Sequence, residues 1–170
     1  YIQNHSMLVL VLLVLRTSEG CTNGTLLEDC EEWKACIADP PNCASLIISS
    51  ESTYNASFGT FGTIPDSISN LTALKTLMII EGGVSGTIPN SIGALTALEY
   101  LKFGPPEVYD PLGFNCSISG TIPEAIGKLT KLKQLRISYC AQVNGTIPEM
   151  FDNLHALNYL KFVALGISGT

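Results

Sequence analysis

The sequence is poor in charge, and in positive charge above all. Charged residues make up 14% of the 170 residues, and 9 Lys and Arg stand against 15 Asp and Glu, which gives a net charge of -6. Proteins that bind nucleic acid usually carry a basic surface. The composition therefore predicts that nucleic acid is not a partner of this protein.

Residue types that carry catalysis are also scarce. The histidines are His5 and His155, and His155 occupies a repeat position that is polar in the sister repeats. No glycine-rich phosphate loop, nucleophile elbow or cluster of metal ligands occurs in the sequence. The sequence predicts no enzyme, no cofactor and no metal site in these residues, although a kinase domain could lie further downstream.

A long hydrophobic run is missing as well. The longest apolar stretch extends only from Met7 to Leu15, whereas a helix that spans a membrane needs about 20 apolar residues. The stretch fits the hydrophobic region of a signal peptide cleaved after Gly20, and a buried strand is the alternative. Residues 1–20 are therefore assigned to upstream residues plus a signal peptide. Because Tyr1 precedes the first methionine, a fragment is expected.

Repetition is the dominant feature of the remaining sequence. The phrase Gly-Thr-Ile-Pro occurs four times and begins a fifth time at Gly169; its first residues are Gly62, Gly86, Gly120 and Gly145. Between these phrases the pattern L-x-x-L-x-x-L-x-apolar recurs, as in Leu71 to Ile79. Its last two apolar residues are two apart and share one side of a strand. One unit cannot bury its leucines alone, whereas stacked units bury them in a continuous column.

These motifs resemble the leucine-rich repeat family over residues 46–170, in the plant-specific type L-x-x-L-x-x-L-x-L-x-x-N-x-L-x-G-x-I-P. The resemblance implies an α/β-type solenoid: a right-handed superhelix with a parallel concave β-sheet and 3-10 or irregular chain on the convex side. One departure is the asparagine expected after each strand, which is replaced by Gly82, Cys116 or Pro106, Cys140 and Leu165. Less regular turns are therefore expected.

The resemblance also implies a function, namely extracellular, non-catalytic recognition of a protein, a peptide or a glycan. Two family outcomes diverge: the ligand-binding part of a receptor-like protein or kinase, and a soluble polygalacturonase-inhibitor-like protein. The expected location is secreted or on the extracellular face of the plasma membrane, with a membrane link only through a downstream segment. Since the last repeat would leave its own apolar residues uncovered, further repeats are expected beyond Thr170.

The outward positions of the predicted concave sheet form the candidate binding site. Alternation buries residues such as Leu101 and Phe103 and exposes those between them. Cations then lie on three adjacent rungs, where a rung is one repeat of the stacked chain. Tyrosines, which are typical of interaction hot spots, flank them. The predicted site contains Met78, Tyr100, Lys102, Gln134, Arg136, Ser138, Tyr159 and Lys161. An acidic peptide, a protein loop or an anionic glycan is the expected ligand; the alternative is solvated side chains balanced by Glu81 and Glu99.

The cysteines point to an oxidising compartment. Four of them lie in residues 21–45, which we interpret as a cysteine-rich N-terminal cap: Cys21, Cys30, Cys36 and Cys43. Three pairings are possible among them, and a zinc site is the less favoured alternative. Cys116 and Cys140 fall at equivalent positions of consecutive repeats. They are expected either to form a disulfide between rungs or to remain as buried thiols.

Threonines and glycosylation sequons mark the rest of the surface. Stacked hydroxyls are predicted along the repeated phrases, at Thr63, Thr87, Thr121 and Thr146. Some ice-binding proteins use such arrays, whereas threonine is also simply a good strand residue. Sequons occur at Asn23, Asn55, Asn70, Asn115 and Asn144, and each is a glycosylation candidate in a secreted protein. Inserts after residues 49 and 103 are expected either on the binding face or as tolerated loops.

Overall fold

The computed structural model describes residues 30–49, 62–80, 84–105, 116–163 and 165–167. These residues form a solenoid whose repeats each contribute a strand to one parallel sheet, and most contribute to a second parallel sheet and to a short 3-10 helix. The first sheet has five strands and the second has four, and in each sheet the strands follow one another in chain order. The predicted parallel sheet and 3-10 convex side are therefore confirmed.

The elements follow one another in a repeating order. The first sheet contains β1 (Ser45–Ser49), β2 (Thr76–Ile80), β4 (Tyr100–Phe103), β6 (Gln134–Ser138) and β8 (Tyr159–Val163). The second contains β3 (Ser85–Thr87), β5 (Ser117–Thr121), β7 (Gln142–Gly145) and β9 (Gly166–Ile167). The 3-10 helices are η1 (Asp66–Asn70), η2 (Asn90–Ala94), η3 (Glu124–Lys128) and η4 (Glu149–Asn153).

A short cap precedes the first strand. Its helix α1 spans Glu31–Ala38 and buries Trp33, which is 3% exposed. Cys36 and Cys43 form a disulfide, and Cys30 is also disulfide-bonded. The zinc alternative is therefore wrong for these three cysteines, because their sulfurs are already bonded. Cys21 lies outside the described residues, as do the proposed signal peptide and the sequons at Asn23, Asn55 and Asn115.

The repeated leucines form the core. In the repeat that begins at Asn70, Leu71, Leu74 and Leu77 are all 0% exposed, and the equivalent leucines of the next two repeats are buried to the same extent. Each phrase ends in a proline with an extended backbone immediately before a 3-10 helix, where its fixed φ and missing N–H are tolerated. The chain then returns to the strand, where alternation points Leu77 and Ile79 back into the core.

Burial fails at the last described repeat. Leu160 and Ile147 stand where the preceding repeat has the buried residues Leu135 and Ile122, yet Leu160 is 47% exposed and Ile147 is 49% exposed. Leu160 lies on β8, which pairs with β6 on one side only within the described residues. A leucine in this fold is covered by rungs on both sides, so a single neighbouring rung leaves about half of the side chain open.

The turns without the expected asparagines are held by the backbone and by a disulfide. Cys116 and Cys140 are bonded to each other, with Cα atoms 4.5 Å apart, and Cys140 is 0% exposed. The Cys116 N–H donates to the Tyr139 carbonyl, and the Tyr139 N–H donates to the Val163 carbonyl. Tyr139 itself has a φ of 58°, which is unusual for a residue with a side chain. The rung-to-rung disulfide alternative is therefore confirmed.

Threonine and glycine of the repeated phrase form one packing unit. Gly86, Gly120 and Gly145 have φ values of 77°, 78° and 88°, a region that glycine adopts without steric cost. A Cβ at Gly120 would also lie 2.9 Å from the Cγ2 methyl of Thr87 on the preceding rung, and Gly86 and Gly145 receive their preceding threonines in the same way. The glycine is therefore required both by the bend and by the neighbour that packs on it.

This arrangement makes a stability prediction. We expect Gly120→Ala to lower the free energy of unfolding by roughly 1–3 kcal/mol, because the left-handed backbone alone costs an alanine about 1–2 kcal/mol. Combining it with Thr87→Ala, which removes the opposing methyl, should recover part of that loss. Urea unfolding followed by circular dichroism measures both effects. Equal stability of Gly120→Ala and the parent protein would contradict the packing account.

Candidate ligand-binding face

The outward side chains of the first sheet align in columns, one residue from each rung. Strand register places Tyr100 beside Gln134, and Gln134 beside Tyr159. A second column contains Met78, Lys102, Arg136 and Lys161. Neighbouring parallel strands lie about 4.8 Å apart, so the side chains of these columns lie on the same side of the sheet. We call this surface the concave face.

Exposure differs sharply among the members of these columns. Tyr159 is 38% exposed, and Met78, Tyr100, Gln134, Arg136 and Lys161 are partly exposed. Lys102 and Ser138, by contrast, are each only 6% exposed. The expectation that Lys102 and Ser138 are open to a ligand is therefore wrong. A buried ammonium group is stable only when it is compensated, and Lys102 does take part in interactions within the protein.

Arg136 is the best-defined polar group of the concave face. Its guanidinium carbon lies 4.3 Å from the centroid of the Tyr159 ring and 5.6 Å from that of Tyr100. Both distances are within the range of cation–π attraction, which favours a cation over an aromatic face. One guanidinium NH2 group also donates a hydrogen bond of 3.1 Å to the Gln134 side-chain oxygen. Arg136 is thus held between the tyrosines of the two neighbouring rungs, with Gln134 of its own rung beneath it.

The sequence contained a signal for this cluster. Each strand carries a residue pair two apart, in the order Tyr-x-Lys, Gln-x-Arg and Tyr-x-Lys. Two residues apart on a strand means the same face, so an arginine beside a glutamine is flanked on both sides by a tyrosine. The diagonal reach of a long side chain to the neighbouring rung completes the contact. Sequence reasoning placed the tyrosines and Arg136 on one face but missed that they touch.

Of the two glutamates named as balancing charges for the concave face, Glu99 forms its ion pair with a lysine outside the two columns. Glu99 lies at the start of its strand and pairs with Lys133 on the next rung, with 2.7 Å between Oε2 and Nζ. The hydrogen bond and charge of Lys133, helped by Lys75 and Lys131, lower the pKa of the Glu99 carboxyl. Its partners are therefore lysines at the edge of the sheet. Glu81 lies outside the described residues.

The threonines of the repeated phrases lie on a different flank, along the second sheet. Thr63, Thr87, Thr121 and Thr146 are all exposed. Strand register pairs Thr87 with Ser119 and Thr121 with Asn144, each of which lies two residues before the next threonine. Successive threonines are therefore displaced along the strand direction as well as between strands. The expectation of threonines stacked level with one another is wrong.

A groove of about 740 Å³ runs along this flank. It is lined by parts of three successive phrases, with Asn90 and Glu124 at the 3-10 helices that follow them. We call it the flank groove. The sequon asparagine Asn144 is exposed beside it, since Gly145 and Thr146 belong to its lining. Asn70, the other described sequon, is exposed at the end of η1.

Metal ligands and membrane-spanning helices are the two other features at issue in the described part of the chain. His155 is exposed in a turn. Among the described residues, no three His, Cys, Asp or Glu side chains are grouped so that they could hold a metal ion. None of the helices in those residues has both the length and the apolar character needed to cross a bilayer.

Comparison with known proteins agrees with the fold. No family model and no curated protein matches the chain. Among solved structures, it resembles the leucine-rich repeat ectodomain of the receptor kinase SOBIR1 from Arabidopsis thaliana, with a TM-score of 0.55 and 20% identity over 74% of this chain and 58% of that one. It also resembles the ectodomain of the Arabidopsis receptor kinase HAESA, solved with an N-terminally extended IDA peptide hormone. The TM-score is 0.56 and the sequence identity 27%, over 72% of this chain and 18% of HAESA.

A third structure, the complex of PEPR1 with AtPEP1, gives a TM-score of 0.51 and 25% identity over 76% of this chain and 18% of that one. The chain thus spans less than two-thirds of the length of each of these proteins. Together with the two parallel sheets and the 3-10 helices, these likenesses show that the fold is a leucine-rich repeat solenoid.

The different burial of the lysines can be tested by chemical labelling. We expect the Lys102 amine to react with an acylating reagent more slowly than that of Lys161 by about an order of magnitude, because labelling of a buried group requires local opening. Peptide mass spectrometry after short labelling times measures both rates. Lys133, whose side chain is 55% exposed, serves as the exposed reference. Equal rates for Lys102 and Lys133 would contradict the burial of Lys102.

Proposed function

We propose that this chain is the ligand-binding part of an extracellular leucine-rich-repeat protein of the receptor type, and that it binds an acidic peptide or protein loop on its concave face. The disulfides Cys36–Cys43 and Cys116–Cys140 support an oxidising, extracellular setting. The receptor type is supported by the neighbours, since the receptor kinase HAESA was solved with a peptide hormone.

The observation that carries the proposal is the Tyr100–Arg136–Tyr159 cluster. A guanidinium stacked on aromatic rings has little freedom left to lose, so a ligand that binds its edge avoids part of the usual entropic cost. A carboxylate is the planar acceptor that matches this edge. Lys161, the register neighbour of Arg136, adds a second positive charge on the next rung. Tyrosine and arginine are also the residue types that dominate binding energy at interfaces.

Two other readings stay as alternatives that experiments separate. A soluble inhibitor of a secreted enzyme, similar to the polygalacturonase inhibitors, would use the same face against an acidic loop of that enzyme. An anionic glycan would offer carboxylates on sugar rings instead of a peptide. Both require Arg136, so loss of binding in its variants establishes the face, and the probe that binds identifies the ligand class.

Ice binding through the threonines is the weaker alternative. The threonines are displaced from one rung to the next along the strand direction, and their methyl groups pack on the following glycines. Neither feature gives the level, flat array that an ice surface would require. We expect no thermal hysteresis from the purified protein, and a concentration-dependent depression of the freezing point below the melting point would revive the ice-binding alternative.

The decisive experiment is a binding titration with defined probes. A glutamate-rich synthetic peptide, its glutamine counterpart and an oligogalacturonate are titrated calorimetrically at low salt. We expect the glutamate peptide to bind, the glutamine peptide to fail, and Arg136→Gln to weaken binding by roughly tenfold, as for an interface arginine worth more than about 1 kcal/mol. Arg136→Lys should recover only part of the loss, because lysine keeps the charge but lacks the planar fork.

Lys128→Gln is the matched control, because it removes one positive charge from the exposed end of η3, on the other side of the repeat. If Lys128→Gln and Arg136→Gln weaken binding equally, the effect is general electrostatics and the concave face is not the site. If only the oligogalacturonate binds, the ligand is a glycan and the peptide proposal is wrong.

A further inference from the structure

The flank groove is lined by threonine side chains that are exposed to solvent. Thr87, Thr121 and Thr146 all belong to its lining. The Cγ2 methyls of Thr87 and Thr121 pack on the glycines of the following rungs, at 2.9 Å and 3.0 Å from where a Cβ would stand. Because the methyl is fixed, the hydroxyl on the same carbon has a fixed direction too. All three threonines are exposed, so their hydroxyls can be reached from solvent.

The rest of the lining limits what the groove can hold. Asn90 offers an amide and Glu124 a carboxylate, whereas Ile88 and Pro123 offer apolar surface, and no Lys or Arg lines the groove. An anionic occupant would therefore meet a carboxylate without any compensating cation. A neutral, hydroxyl-rich molecule with apolar ring faces suits the lining, and a volume of about 740 Å³ is within the range of small-ligand sites.

A source of such a molecule lies at the edge of the groove. The sequon Asn144-Gly145-Thr146 contributes two of its three residues to the lining, and the register partner of Asn144 on the preceding rung is Thr121. Asn144 and Thr146 are both exposed. A sugar attached to Asn144 would start beside these hydroxyls. Tethering makes the contact intramolecular, with an effective concentration in the millimolar range for a short link.

We infer that Asn144 carries an N-linked glycan whose first sugars lie in the flank groove, against the hydroxyls of Thr87 and Thr121. In the transfer step the Asn144 amide nitrogen displaces a lipid pyrophosphate from the anomeric carbon of its oligosaccharide donor. One N–C bond forms, one C–O bond breaks, and the proton lost by the amide nitrogen passes to the departing lipid pyrophosphate. The donor belongs to the secretory pathway, so this inference rests on the extracellular location proposed above but not on the peptide ligand.

This glycan would cover the side of the protein that the second sheet forms and leave the side of the first sheet open. The groove and the exposed threonines belong to the flank of the second sheet, whereas the Arg136 cluster belongs to the first sheet. The sugars would cover the flank and leave the concave face open. The second described sequon, Asn70, is exposed and absent from the groove lining, so a glycan there would extend into solvent.

The test compares the two sequons in one protein. The chain is secreted from a eukaryotic cell line with a heterologous signal peptide, and site occupancy is measured by peptide mass spectrometry. Release by peptide N-glycosidase is then timed at each site under native conditions. We expect Asn144 to be occupied and its glycan to be released roughly three- to tenfold more slowly than that of Asn70, the effect of one or two hydrogen bonds. After denaturation the two rates should converge.

The double variant Thr87→Val/Thr121→Val separates seating in the groove from mere crowding. Valine keeps the methyl that packs on glycine and loses the hydroxyl, so it should speed release at Asn144 and leave Asn70 unchanged. An unmodified Asn144 in the secreted protein would overturn the inference, and so would a glycan released as fast as that of Asn70. Asn144→Gln should still bind the acidic peptide, and a protected glycan on a protein that fails to bind it would refute only the peptide proposal.

Discussion

Each rung of this protein buries its leucines against its neighbours, which are other rungs or, at β1, the N-terminal cap. Leu71, Leu74 and Leu77 wrap one turn of chain and are fully covered, as are their equivalents in the next two repeats. Where a rung has a neighbour on one side only, as at β8, Leu160 is 47% exposed. Stability is thus close to a sum of contacts between nearest neighbours. The same stacking repeats any outward residue at intervals of about 4.8 Å, and both candidate surfaces follow from that repetition.

Close stacking also explains why the repeated phrase is so uniform. Threonine and glycine meet across rungs at a distance too short for a Cβ at Gly86 or Gly120, so these glycines cannot change alone without a cost. The repeated threonine therefore reflects packing between rungs as well as the outward direction of its side chain. Its regularity in the sequence indicated an outward array, and the structure shows that half of each side chain, the methyl, serves the fold. Only the hydroxyl is left for a partner.

The sequence predicted those parts of the fold that depend on period. The parallel strands and the buried leucines follow from equivalent positions in successive repeats. So does the closeness of Cys116 and Cys140, although the sequence left a disulfide and two buried thiols as alternatives. It did not predict the burial of Lys102, because the period gives the direction of a side chain and not what lies over it. Nor did it predict the Arg136 contact, since register places Arg136 beside Lys102 and Lys161. A long side chain turns diagonally when the energy of two aromatic rings exceeds that of solvation.

The distribution of charge ties the two surfaces together. The protein is acidic overall, with a net charge of -6, yet Arg136 and Lys161 are neighbours on the concave face, where like charges at strand spacing oppose each other. The tyrosine rings reduce that cost around Arg136 without removing its charge. The flank groove has the opposite character, with Glu124 and neutral hydroxyls. An acidic ligand of the proposed kind would meet Arg136 and Lys161 on the concave face and the Glu124 carboxylate in the flank groove, and such a difference in local charge favours one orientation of approach.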